Sequence, residues 1–70
     1  MSLTIRQWRR LKEMSQKNLA DACGVHENTI RNWEEDSSQI KLSDAIKLSE
    51  VFGVSIDDIV FTPTKQQNVE

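Results

Sequence analysis

Two side chains in this sequence could do nucleophilic or metal chemistry. Cys23 and His26 are the single cysteine and the single histidine of 70 residues, three positions apart. A thiol beside an imidazole can make an activated nucleophile. Here no second histidine backs the pair, and Cys23 stands where a helix buries a small or apolar residue, so it reads as an inert core thiol. His26 suits a turn or a helix cap. A structural zinc site needs about four Cys or His ligands. No catalytic residue, metal or cofactor is therefore expected, and no enzyme. A lone cysteine also excludes an internal disulfide.

The rest of the composition narrows the class. Nine Lys and Arg face eleven Asp and Glu, a formal net charge of −2. That balance argues against a polybasic tail or a whole-surface polyanion binder, but not against a local basic face. Hydrophobic residues make up 37% and charged residues 29%, which is a globular balance rather than a disordered one. No apolar run approaches the roughly 18 residues of a membrane span. The opening Met1 to Arg6 lacks the apolar stretch of a signal peptide. The expected location is the cytoplasm. One small domain without disulfide or metal has to stand on packing, and help from a partner subunit is expected.

Helical periodicity dominates. Ile5, Trp8, Leu11 and Met14 repeat every third residue after a Thr4–Gln7 capping box, predicting a first helix at about 5–13. Ser15 caps a second at about 16–23, with Leu19, Ala20 and Cys23 on one face and Gly24 ending it. Ile30 and Trp33 mark a third at about 27–35. Leu42, Ala45, Ile46, Ser49 and Phe52 mark a fourth, widened by Leu48 and Val51 and ended by Gly53. Ser55 followed by Ile56, Asp57 and Asp58 starts a short fifth helix, which Pro63 closes. No strand pattern or repeat appears. The expectation is an all-α, compact five-helix domain over 4–61 and a polar tail over 62–70.

The stretch from Gln16 to Glu34 is the informative one. Two helices joined by a few residues including Gly make a helix-turn-helix, and the physics of that motif dictates residue types. Ala20 is small because the third helix crosses the second there. Gly24 turns the chain, and Val25 anchors the turn inward. Ile30 and Trp33 seat the third helix on the core. Trp8 and Trp33 accordingly read as core residues rather than stacking platforms.

Those residues, with Arg9, Ser15-Gln16, Trp33-Glu34 and the later Leu42, Ile46 and Phe52-Gly53-Val54-Ser55, resemble the Cro/repressor (XRE) family of helix-turn-helix DNA-binding domains, of the lambda-repressor-like fold. The resemblance spans about residues 5–60. It implies a sequence-specific transcriptional regulator, of the phage or prophage repressor type, that places the third helix in the major groove of an operator in double-stranded DNA. The positions that would meet base edges are Glu27, Asn28, Arg31 and Asn32. Their chemistry is compatible, because Asn matches adenine, Arg matches guanine, and Glu accepts from cytosine. Gln16 matches a phosphate contact at the start of the second helix. Lys17, Thr29, Ser37, Ser38 and Lys41 are further candidates for phosphate. Arg9 and Glu34 match an ion pair between the first and third helices. A two-fold homodimer is implied, with Val54, Ile56, Ile59, Val60 and Phe61 as its candidate patch. Glu13 stands where the family usually has Gly, which predicts a differently built turn between the first two helices.

Charge is unevenly placed. Residues 1–17 carry Arg6, Arg9, Arg10, Lys12 and Lys17 against Glu13, a net +4; residues 18–36 come to −4 and residues 37–70 to −2. The acid is concentrated in Glu27, Glu34, Glu35 and Asp36, beside the expected groove. It motivates a rival reading, a protein-interaction module that keeps the helix-turn-helix as a scaffold.

Overall fold

The structure, a computed structural model, describes residues 1–61. The expected tail over 62–70, including Pro63, lies outside the described residues. In chain order the elements are β1 (Leu3–Thr4), α1 (Ile5–Leu11), α2 (Gln16–Cys23), α3 (Glu27–Glu35) and α4 (Leu42–Phe52), then a 3-10 turn (Ile56–Asp58) and β2 (Ile59–Val60).

Local chemistry explains the helix starts. Thr4 Oγ1 accepts from the Gln7 N–H at 3.2 Å, and the Gln7 side chain accepts from the Thr4 N–H at 2.9 Å. Ser15 and Asn18 make the same reciprocal pair at 2.9 and 3.2 Å. Each box satisfies N–H groups that the first helical turn leaves open.

Three helix ends share one closure. The N–H groups of Val25 and Val54 reach back five residues to the carbonyls of Ala20 and Ser49, across Gly24 and Gly53 in the left-handed region. Met14 does the same to Arg9 O at 3.0 Å, across Glu13 at φ 57°. The turn between α1 and α2 is therefore not built differently. Glu13 itself adopts the conformation that glycine takes elsewhere, at a steric cost of roughly 1–2 kcal/mol. Its carboxylate also lies at the negative end of α1. Glu13→Gly is expected to stabilise the domain by about 1 kcal/mol, after the extra flexibility of glycine in the unfolded chain is discounted. A thermal melt followed by circular dichroism checks this; an unchanged or lower Tm would contradict it.

The core gathers one face of every helix. Ile5, Trp8, Leu19, Ala20, Cys23, Ile30, Leu48, Phe52 and Ile59 are buried together. The Trp8 and Phe52 rings stack at 6.3 Å between centroids. Leu11, Leu42 and Ile46 do not join them; all three are exposed. On α4 the buried set is Ala45, Leu48, Ser49 and Phe52, so the inward stripe is rotated from the predicted one.

No fifth helix forms. The chain makes one 3-10 turn and then extends, and β2 pairs in parallel with β1, Leu3 opposite Ile59 and Thr4 opposite Val60. The cause is tertiary. Trp8 Nε1 donates to the Asp58 carbonyl at 2.7 Å, and the ladder to β1 takes the backbone groups that a helix would have used. A two-residue strand is too short to leave a period in the sequence. The fold is thus four α-helices with a two-stranded parallel ladder joining the ends of the described chain.

Candidate nucleic-acid interface

The α3 helix has two distinct sides. Ile30 is fully buried, and Trp33 packs partly buried against the core. Asn28, Arg31 and Asn32 are exposed, while Glu27 and Thr29 are half-buried. The predicted base-facing residues therefore form one outward row. Its first turn is capped by His26, whose Nδ1 accepts from the Asn28 N–H at 3.0 Å. An imidazole that accepts at Nδ1 carries its proton on Nε2.

Glu34 fixes α3 to the rest of the domain. Its side chain is only 4% exposed, and Arg9 Nε donates to its Oε2 at 2.5 Å. Gln16 Nε2 donates to Oε1 at 3.0 Å, and Arg6 Nε lies 3.8 Å from the same oxygen. Arg9 Nη1 also donates to the Met14 carbonyl at 2.9 Å, closing the turn that Glu13 makes. One carboxylate thus joins α1, the start of α2 and the end of α3. The expected Arg9–Glu34 pair is present, and it is buried rather than a surface contact.

Arg6 is a residue the sequence reading missed. It shares a shallow cleft with Gln16, Arg31, Glu34 and Glu35. The available signal was its i,i+3 spacing from Arg9 on α1.

The phosphate candidates divide. Lys17 is exposed and lies 3.8 Å from Asp21 across one turn of α2. Gln16 is half-buried, one of its amide hydrogens spent on Glu34. Lys41 is exposed at the start of α4. Ser38 is exposed, but its hydroxyl and backbone N–H both donate to Asp36 Oδ1, at 2.7 and 2.9 Å. The hydroxyl bond first, and then the backbone bond, hold the Asp36 carboxyl below its usual range. Ser37 is 4% exposed, so this candidate is withdrawn from the surface.

Of the dimer candidates, Ile59 is 5% exposed inside the core, committed there by its place in β2. It is not available to a partner. Phe61 is partly buried and packs on the same core, and Ile56 is half-buried. Cys23, the last residue of α2, is buried, which pushes its thiol pKa up. No helix among the described residues is long and apolar enough to cross a membrane.

No curated protein matches the chain. The family comparison gives a match to the helix-turn-helix family over residues 5–59, from the start of α1 into β2. That span takes in the Gly24 turn, the buried Ala20 and Ile30 and the outward row of α3. By that match, and with those features at its centre, the chain belongs to the XRE/Cro-type helix-turn-helix family of DNA-binding regulators.

Proposed function

We propose that this protein is a sequence-specific transcriptional repressor of the phage type, binding its operator as a homodimer and having no catalytic role. The observation that carries the reading is α3 itself. Ile30 and Trp33 anchor it inward, and Glu27, Asn28, Arg31 and Asn32 remain on the outer side for base edges in the major groove. Gln16, Lys17, Thr29 and Lys41 serve as phosphate contacts, while Ser38, whose two donors are both given to Asp36, drops out. One α3 reads only a few base pairs, so two half-sites about 34 Å apart suit two copies of the chain. With Ile59 in the core, the half-buried Val54, Ile56, Val60 and Phe61 are what remains of the proposed dimer patch. Repression follows from occupying a promoter.

Selection of bound duplexes from a random pool at low salt tests this. A two-fold symmetric sequence is expected. Affinity should fall with salt at a log–log slope of about −2 per subunit, since Lys17 and Lys41 each release roughly 0.9 counterion on meeting phosphate. Sedimentation of the free and bound protein reads the dimer. Failure to enrich any sequence overturns the reading and favours the interaction module, whose support is the exposed acid of Glu35 and Asp36.

A further inference from the structure

The outward row of α3 is not a set of independent side chains. Arg31 Nη1 donates to Asn28 Oδ1, three residues back. Arg31 Nη2 lies 3.6 Å from Glu27 Oε2, four residues back. Asn28 is itself held through its backbone N–H by the His26 cap. Arg31 and Glu27 are nonetheless about half exposed, at 49% and 42% of their side chains, so the unit faces solvent. Asn32, one residue on, carries no side-chain bond among the described residues.

From this arrangement we infer that Glu27, Asn28 and Arg31 act as one guanine-reading unit, with Arg31 as the contact and Glu27 and Asn28 as its positioning residues. The inference rests on the DNA-binding reading and deepens it by naming the base. A guanidinium has five N–H donors in a fixed plane and no acceptor. Two of its nitrogens are engaged by the helix, which orients the plane and leaves further N–H groups for the ligand. The guanine edge offers two acceptors, N7 and O6, to that donor fork. The adenine edge offers one acceptor and an N6 donor, and the donor would face donor. Asn28 is not the adenine reader of the row. Pairing with adenine needs the amide carbonyl to accept from N6 while the amide N–H donates to N7, and the bond that the Asn28 carbonyl accepts from Arg31 already turns that amide along the helix. The unoccupied amide of Asn32 is the one that meets adenine.

Glu27 has a second effect by the same geometry. Its charge offsets that of Arg31, which weakens the attraction of Arg31 to any phosphate. Guanine N7 and O6 are neutral acceptors whose recognition depends on direction more than on charge. The carboxylate therefore discriminates against non-specific DNA at the same time as it aims the guanidinium.

Three proteins decide the matter: wild type, Arg31→Lys and Glu27→Gln. Each is checked for an unchanged helical circular dichroism spectrum and carried through duplex selection, then titrated on the selected site and on that site with one guanine changed to adenine. Wild type should prefer the guanine by about 10–100-fold, the range of one bidentate pair. Arg31→Lys keeps the charge, loses the fork and should lose most of that preference. Glu27→Gln should lower the preference several-fold and raise affinity for scrambled DNA. A preference unchanged in Glu27→Gln, or a selected site with no guanine whose preference depends on Arg31, overturns the inference and leaves the DNA-binding reading standing. Enrichment of no duplex by wild type overturns both.

Discussion

Glu34→Ala is expected to destabilise the domain by about 3 kcal/mol, the low end of what breaking a buried ion pair costs. The carboxylate is 4% exposed and its partner Arg9 is 11% exposed, so the guanidinium left behind stays largely out of water. Gln16 and Arg6 lose the same partner. A domain of this size has a total stability of only some 4–10 kcal/mol. The loss should lower Tm by roughly 12–24 °C in a domain of this length. The three tethered parts are α1, the start of α2 and the end of α3, so DNA binding should fail below the temperature at which the fold itself fails. Replacing both charges, Arg9→Met with Glu34→Leu, should recover most of the loss, because no orphaned charge then remains. Thermal and urea denaturation of the two variants check this. A loss under about 1 kcal/mol for Glu34→Ala would place the pair with ordinary surface ion pairs.

The largest functional effect is expected from Arg31→Ala combined with Asn32→Ala. Each side chain is assigned one bidentate base contact, and each such contact discriminates by about 1–3 kcal/mol. Together they should weaken operator binding about a thousandfold per subunit, the middle of the summed range. Binding to scrambled duplex should fall less, since it loses the charge of Arg31, which leaves Glu27 unopposed, but no base pairing, and Asn32 has no charge. Both residues are exposed on α3, so the helical spectrum and Tm should stay close to wild type. Parallel titrations on operator and scrambled duplex measure the ratio. Equal losses on both would mean that the row supplies attraction and not sequence reading.

Much of the architecture could be read along the chain because its causes are local. The capping boxes at Thr4–Gln7 and Ser15–Asn18 span three residues each. The periods of Leu19, Ala20 and Cys23 and of Ile30 and Trp33 each lie within one helix, and Gly24 marks its own turn. Even Arg9 and Glu34, 25 residues apart, were legible through the family pattern that their neighbours carry.

Other features were illegible because their causes lie elsewhere in the fold. Ser55 and its acidic neighbours look like any helix start; only the Trp8 indole and the β1 ladder make the following residues extend. Leu42 and Ile46 have the right period, but which part of a broad apolar face turns inward depends on where α2 and the 3-10 turn meet α4. Ser37 looks like a surface loop residue, yet the fold leaves it only 4% exposed. Glu13 has no local reason to take a left-handed φ; the chain must close α1 there, and Arg9 pins the Met14 carbonyl just beyond it.

The sequence by itself determined that α2, a glycine turn and α3 form the motif, which face of α3 is buried, and which polar residues are left outside. Those follow from helix period and turn chemistry, which act over a few residues. Only the tertiary structure decided that Glu34 ties three elements together, that Ile59 belongs to the core and not to a dimer patch, and that Arg6 borders the cleft beside Gln16 and Arg31. It decided as well how the outer row of α3 is wired, with Arg31 held by Glu27 and Asn28 while Asn32 stands apart. The physical reason is the same throughout: burial and directed hydrogen bonds are settled between side chains only when the backbone has brought them into reach, and residue type alone does not say which donor meets which acceptor.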